Sequence, residues 1–214
     1  MACALGWACW KTYLGRPETD WPRQAAMNVL GNGLFHAKHH EDALSVREAE
    51  LSMMQRTGDS ERNILVVQGN ISSSYSELGR HEEAGRIERE VYAQRAALYG
   101  ALNEDTLLSA VNLASSLVDD LRQFDEARAF LRDRIPEAVR SLGKNHESTF
   151  RLQRMYAQCL FQNDGASLDD ITTAIATLDD LDRRQTRTFG ASHPQTSCTR
   201  CQLKRALLAL AEHK

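Results

Sequence analysis

Four versions of one segment set the period of this chain: TGDSERNI at residues 57–64, YGALNEDT at 99–106, LGKNHEST at 142–149 and FGASHPQT at 189–196. Each has a glycine as its second letter, and an apolar or aromatic residue, called the anchor here, follows that glycine after 13 positions. The anchors are Ile71, Leu113, Tyr156 and Leu203. Because the glycines are 42, 43 and 47 residues apart, the pattern predicts stacked supersecondary units rather than one globular core.

Composition narrows the class of protein. Hydrophobic residues make up 42% of the 214 residues and charged residues 26%, which is typical of a folded chain. The net charge of −3 does not draw the chain to nucleic acid or to an anionic membrane. The longest apolar stretch, at residues 1–10, is too short to span a bilayer. We therefore expect neither nucleic acid nor a membrane as partner.

Five cysteines, an odd number, are placed unevenly, which is not typical of a disulfide framework and favours a reducing, cytoplasmic setting. Cys198 and Cys201 form a lone C-x-x-C with no second pair of ligands to close a zinc site. No nucleophile or phosphate-binding motif is present either. The sequence thus predicts no catalytic residue, no metal and no cofactor, and it indicates a protein that is not an enzyme.

Each unit is predicted to hold two helices. In the second unit Val67, Ile71 and Tyr75 recur at the i, i+4 spacing of one helix face, and a further apolar stripe includes Val91 after a turn at Gly79. In the last segment Ser192, three residues before Gln195, has the spacing of a capping box.

Small residues mark where two helices of a unit are expected to pack closely. They are Ala43, Ala84, Ala127 and Ala174, which lie 15 or 16 residues before the closing glycine of their units. The extra length of the third and fourth units falls between the anchor and this alanine, in the segments at residues 117–126 and 161–170, where insertions into a repeat array are tolerated. Pro136 lies inside a predicted second helix, where it should bend the helix.

These patterns predict an all-α chain that forms one array of stacked antiparallel helix pairs. Four full units cover approximately residues 16–58, 59–100, 101–143 and 144–190, and partial units cover 1–15 and 191–214.

The repeated segments resemble the tetratricopeptide repeat (TPR) family, in the longer-period variety found in kinesin light chains. NLASSL from Asn112, LGRHEEA from Leu78, LGKNHEST and FGASHPQT are similar to that family's Asn-Leu-Ala, Gly-(Lys/Arg)-x-x-Glu-Ala and Leu-Gly-x-x-His-Pro-x-Thr elements. The resemblance implies a right-handed α-solenoid whose first helices line a concave groove. In such arrays the groove is reached from positions two before, two after and five to six after the anchor, with Leu30 as the anchor of the first unit.

Carried over to this chain, those positions select polar residues on every first helix, which is unusual for a helix buried on both sides. They are Asn28, Asn32, His36, Ser73, Ser76, Glu77, Ser115, Asp119, Arg154, Gln158, Gln162 and Arg205, with Arg151 beside them.

The sequence therefore predicts a protein–protein interaction scaffold, or adaptor, that holds an extended or helical peptide segment of another protein in this groove. The arginines favour an acidic segment. An alternative is a regulatory repeat region of a larger multidomain signalling protein or ATPase, and a weaker one is a small metalloprotein that uses the terminal cysteines. Self-association through the apolar N-terminal end, with Trp7 and Trp10, is a further expectation.

Overall fold

The computed structural model describes residues 2–213, which form ten α-helices and one π-helical turn. They are α1 Ala2–Tyr13, α2 Trp21–His36, α3 His40–Thr57, α4 Glu61–Glu77, α5 His81–Tyr99, α6 Glu104–Ser115, the π-turn Ser116–Asp120, α7 Phe124–Leu142, α8 Glu147–Gln162, α9 Leu168–Phe189 and α10 Pro194–Glu212. Across residues 2–213, no helix combines the length and the apolar character that crossing a membrane requires.

The chain divides into two compact pieces, called the N-terminal part (up to Val91) and the C-terminal part (from Tyr92) here, with the boundary inside α5. In the N-terminal part α2 packs against α1 and α3, and α3 packs against α4. In the C-terminal part α7 packs against α6 and α8, and α9 packs against α8 and α10. The predicted grouping of the whole chain as a single array stays a prediction.

The glycines that end α7 and α9 explain why the repeated segments keep this residue. Gly143 has φ 91° and ψ 159°, and Gly190 has φ 93° and ψ 161°, a backbone region that is essentially restricted to glycine. Each glycine carbonyl accepts a hydrogen bond from a threonine hydroxyl six residues later, Thr149 at 2.9 Å and Thr196 at 3.0 Å. The last two segments therefore form the same compact connection between helices.

Histidines cap the helices that follow these glycines. The Nδ1 atom of His146 accepts a hydrogen bond from the Ser148 backbone N–H at 3.2 Å, and His193 accepts one from Gln195 at 3.3 Å. The prediction that Ser192 caps α10 is wrong, because the residue with the extended backbone of an N-cap is His193.

The four small residues lie where the helices of each unit meet. Ala43, Ala84, Ala127 and Ala174 are at most 1% exposed. At one of these contacts, the Ser72 hydroxyl of α4 donates a hydrogen bond of 3.1 Å to the Ala84 carbonyl of α5. A larger side chain at such a position would separate the two backbones, so the predicted close approach is confirmed.

The extra residues of the third and fourth units are accommodated differently. The third unit has one more residue than the second between anchor and alanine, and the π-turn absorbs it, with the Leu121 N–H donating to the Ser116 carbonyl five residues earlier at 2.9 Å. The fourth unit takes a longer connection at residues 163–167 and a longer second helix, the 22-residue α9. The packed contacts keep their spacing in both cases.

Candidate functional site

Polar side chains of the C-terminal part form a hydrogen-bonded row, called the polar ladder here. Helix α8 contacts both α6 and α10, so side chains 39 and 40 positions apart in the sequence meet on neighbouring helices. The members of the polar ladder are Ser115, Asp119, Gln158, Gln162, Gln202 and Arg205.

The first half of the ladder joins the π-turn to α8. The Ser115 hydroxyl donates to Asp119 Oδ2 at 3.2 Å, and Gln158 Nε2 donates to Asp119 Oδ1 at 2.9 Å. Gln158 is almost fully buried, and its Oε1 has no hydrogen-bond partner among residues 2–213, whereas Asp119 is exposed. The π-turn thus places a carboxylate at the surface of a row that continues into the interior.

The second half joins α8 to α10. Gln162 Nε2 donates to Gln202 Oε1 at 3.2 Å, and Arg205 Nη1 donates to the same oxygen at 3.4 Å. Arg205 is exposed, so its remaining N–H groups face solvent. Amide groups that bond to each other at these lengths can exchange partners with an incoming peptide backbone.

Two arginines lie on α8 beside the ladder. Burial lowers the pKa of Arg151, and the like charge of Arg154 lowers it further, while Glu147 and Asp119 act in the opposite direction. The Arg154 Nε is buried and has no acceptor within the described part of the chain. Two crowded guanidinium groups with an unused donor form a site that a carboxylate would stabilise.

In the N-terminal part the candidate asparagines are half-buried members of a hydrogen-bond network. Asn32 Nδ2 donates to Asn28 Oδ1 at 3.0 Å, and Asn32 Oδ1 accepts from Arg47 Nη2 at 3.1 Å. The guanidinium of Arg47, which is 3% exposed, also donates to the Asn70 carbonyl and to Ser74 Oγ at 2.7 and 2.6 Å. Asn32 therefore helps to hold α3 against its neighbours.

The other candidates of the N-terminal part are closer to solvent. His36 and Ser73 are exposed, and the Ser73 hydroxyl donates to the Gly69 carbonyl of its own helix at 3.1 Å. Glu77 is exposed and lies 3.8 Å from His40 Nε2, and Ser76 is half-buried.

Sequence reasoning missed Gln202, Arg47 and Glu50. Gln202 falls one residue before the anchor Leu203, outside the positions that the family pattern selects. Arg47 and Glu50 are buried charges on a second helix, and a spacing rule for first helices gives no signal for them.

Cys198 is half-buried, Cys201 is exposed, and all five cysteines are free thiols. Within residues 2–213, no group of three His, Cys, Asp or Glu side chains is arranged to hold a metal ion. Burial raises the pKa of Cys159 to about 12, so this thiol is kept in its protonated form.

Comparison with solved structures places the helix pairs in a known fold. The nearly identical TPR-like repeats of kinesin light chain type from Podosopora anserina superpose with a TM-score of 0.73 at 20% identity, over 89% of this chain and 87% of that chain. BtubC (BKLC) from P. vanneervenii gives a TM-score of 0.60 at 15% identity, over 98% and 91%. A Rap protein complexed with Competence and Sporulation Factor gives 0.56 at 14% identity, over 96% of this chain and 56% of that chain.

No protein-family model and no curated protein matches the sequence. The solved structures nevertheless share the helix-pair architecture over most of this chain, which confirms the predicted all-α repeat solenoid. The chain has the fold of TPR-like repeat proteins, of the kind seen in kinesin light chain-like structures.

Proposed function

We propose that this protein is a non-catalytic interaction scaffold that holds a peptide segment of a partner protein along the polar ladder. The observation that carries the proposal is the hydrogen-bonded row from Ser115 to Arg205, whose members lie in α6, the π-turn, α8 and α10. Five of its six members are residues that the sequence pattern selects for a groove.

The chemistry of the row suits an extended backbone. Side-chain amides both donate and accept, so half-buried Gln162 can pair with peptide N–H and C=O groups. Gln158 and Gln202 are at most 8% exposed, and they orient Asp119 and Gln162 rather than contact the peptide themselves. A peptide that displaces one ladder bond while it makes another loses little hydrogen-bond energy.

Charge beside the row favours an acidic partner segment. Arg151 and Arg154 repel each other on α8, and a carboxylate from a peptide would relieve that repulsion. Exposed Arg205 extends the same preference to α10. The Rap protein of similar fold, which is complexed with Competence and Sporulation Factor, supports ligand binding by such an array. The five free thiols favour a cytoplasmic setting for the complex.

The experiment is peptide selection followed by substitution. Peptides captured from a random library are measured by fluorescence polarisation against the native chain and against a triple variant, Arg154→Ala, Gln158→Ala and Arg205→Ala. Loss of three polar contacts should weaken binding by about tenfold or more. Captured peptides should be enriched in Asp and Glu, and their affinity should fall as salt is added.

A matched control removes polar groups from a different helix. Arg132→Ala and Asp133→Ala change exposed residues of α7 that lie outside the polar ladder, and affinity should stay the same. Circular dichroism verifies that each variant keeps its helices. Captured peptides that bind the triple variant as tightly as the native chain would contradict the proposed site.

A further inference from the structure

A cavity of about 190 Å³ lies within the N-terminal part of the chain, between α2, α3 and α4. Its lining includes Trp21 and Asn28 of α2, Glu50 and Met54 of α3, Val66 of α4 and, just before α4, Asp59. The volume is below that of a pocket for a drug-sized ligand, about 300 Å³ or more, and is comparable to a cavity that takes one small ring. It therefore has room for a single long side chain.

Glu50 gives this cavity its chemistry. The residue is 1% exposed, and neither carboxyl oxygen has a hydrogen-bond partner among the residues that the structure describes. Burial raises its pKa to about 7. The Asn28 side chain, which is near Glu50 but outside the geometry of a regular hydrogen bond to it, and the charge of Arg47 offset only part of that effect. Buried polar groups are normally hydrogen-bonded, so this carboxyl group has an unused capacity for a donor.

The charged neighbours do not supply that donor. The two Nη atoms of Arg47 donate to Asn32, Asn70 and Ser74, and its Nε has no acceptor among the described residues, so it does not donate to Glu50 either. Asp59, a second acid of the lining, accepts from the Ser60 N–H and from Asn63 Nδ2, and none of the lining residues is basic.

The lining combines apolar side chains with the neutral amides of Gln24, Asn28 and Asn63. The indole of Trp21 is 74% exposed and Val66 is 44% exposed, while Met54 is buried. An aromatic face and aliphatic groups around an acidic floor match a cation carried on a flexible aliphatic stem.

We infer that this cavity receives the ammonium end of a lysine side chain from the partner peptide. The inference rests on the proposed scaffold function for the source of the lysine. An ammonium group has three donors, and the acceptors of the lining are the two oxygens of Glu50, which stay covered until this side chain turns towards the cavity, and the second lone pair of Asn28 Oδ1. The five donors of a guanidinium would exceed those acceptors.

The test uses a small probe, Nα-acetyl-lysine methylamide, at about pH 8, where a carboxyl group with a pKa near 7 is ionised. Binding is followed through the Trp21 indole N–H in nuclear magnetic resonance spectra, with the signal assigned by Trp21→Phe. We expect a saturable shift with a dissociation constant on the order of 1–10 mM. The matched probe Nα-acetyl-norleucine methylamide has the same stem without the charge and should give no saturable shift.

Glu50→Gln should weaken binding of the lysine probe by about tenfold or more, because it removes a charged acceptor without changing its shape. Should that variant fail to fold, Trp21→Ala replaces it, since this exposed side chain is not needed for the core, and binding is then followed through the side-chain amide signal of Asn28. This variant should weaken binding at least about threefold. Absence of a saturable shift, an equal response to the norleucine probe, or full affinity in the replaced chain would overturn the lysine site. Tighter binding of Nα-acetyl-arginine methylamide would overturn the choice of lysine.

The outcome is separable from that of the scaffold function. The probe needs no peptide, and all of its proposed contacts lie in the N-terminal part. The triple variant changes residues of the C-terminal part and tests peptide binding there. Probe binding without any captured peptide would reject the partner peptide as the source of the lysine. Captured peptides without probe binding would reject the cavity and leave the polar ladder in place.

Discussion

The ionisation of Glu50 links stability to pH. Its pKa rises from 4.5 to about 7 on folding because the carboxyl group is buried, with Arg47 on the same helix and Asp59 before α4 as charged neighbours. The folded state therefore holds a proton that the unfolded state releases, so stability is greatest below about pH 4.5 and falls as pH rises towards about 7. Glu50→Gln removes this loss. We expect its stability relative to the native chain to increase by about 3 kcal/mol between about pH 5 and about pH 8.

Urea unfolding at the two pH values measures that difference, and the groups common to both chains cancel. Glu82→Gln, on the exposed surface of α5, is the control, and its effect on the free energy of unfolding should be the same at both pH values. An effect of Glu50→Gln that does not change with pH would show that the carboxyl group reaches water in the folded state.

Single positions were predictable from the sequence where the backbone itself sets the requirement. Gly143 and Gly190 hold a conformation that other residues rarely adopt, so their spacing gave the period directly. Arg47 was not predictable, because its burial depends on partners 15 to 27 residues away in sequence, such as Asn32 and Ser74. Periodicity predicts which face is buried, but not which polar groups meet there.

Helix α7 continues from Phe124 to Leu142 through Pro136, although proline lacks the N–H that would bond to the Arg132 carbonyl. Pro136 is exposed, while Leu131 and Ala138 on either side are fully buried, so the packed face is kept and the missing bond faces water. We expect Pro136→Ala to raise the free energy of unfolding by about 1–3 kcal/mol in urea titrations. A destabilised variant would mean that the packing of α7 requires the proline geometry.

The length of an insertion was predictable, but its form was not. One extra residue between Leu113 and Ala127 is equally compatible with a longer loop or with a widened helical turn. The π-turn is favoured here because Leu117 and Val118 remain buried while Asp119 faces outward. That choice depends on packing against neighbouring helices, and it brings Asp119 within hydrogen-bond distance of Gln158. A spacing rule selected both residues without predicting their bond.

The pairing of helices along the whole chain was predictable because each unit repeats the same local signals, and neighbouring pairs bury one another's apolar faces. The polar ladder was predictable only in part. Its positions follow from the repeat, whereas Gln202 belongs to it because Gln162 donates to it from α8. Contacts between neighbouring repeats thus depend on pairs of side chains, and the sequence of one repeat specifies only one member of each pair.

Helix α1 carries apolar side chains that are exposed in the structure. Leu5 is 63% and Trp7 44% exposed, whereas Trp10 packs against the core around Leu30 and Leu34. We expect two copies of the chain to associate through Leu5 and Trp7. Only a few apolar side chains would be buried between the two copies, and their burial must offset the entropy lost on association. The dissociation constant should therefore be on the order of 0.1–1 mM.

Sedimentation equilibrium over a range of protein concentrations measures this association. Leu5→Glu with Trp7→Glu should leave the protein monomeric, because burying two unpaired carboxylates is unfavourable. Leu207→Glu with Leu208→Glu changes two similarly exposed apolar residues of α10 and should leave the association unchanged. If the α10 variant alone becomes monomeric, the self-associating surface lies on the last helix rather than on α1.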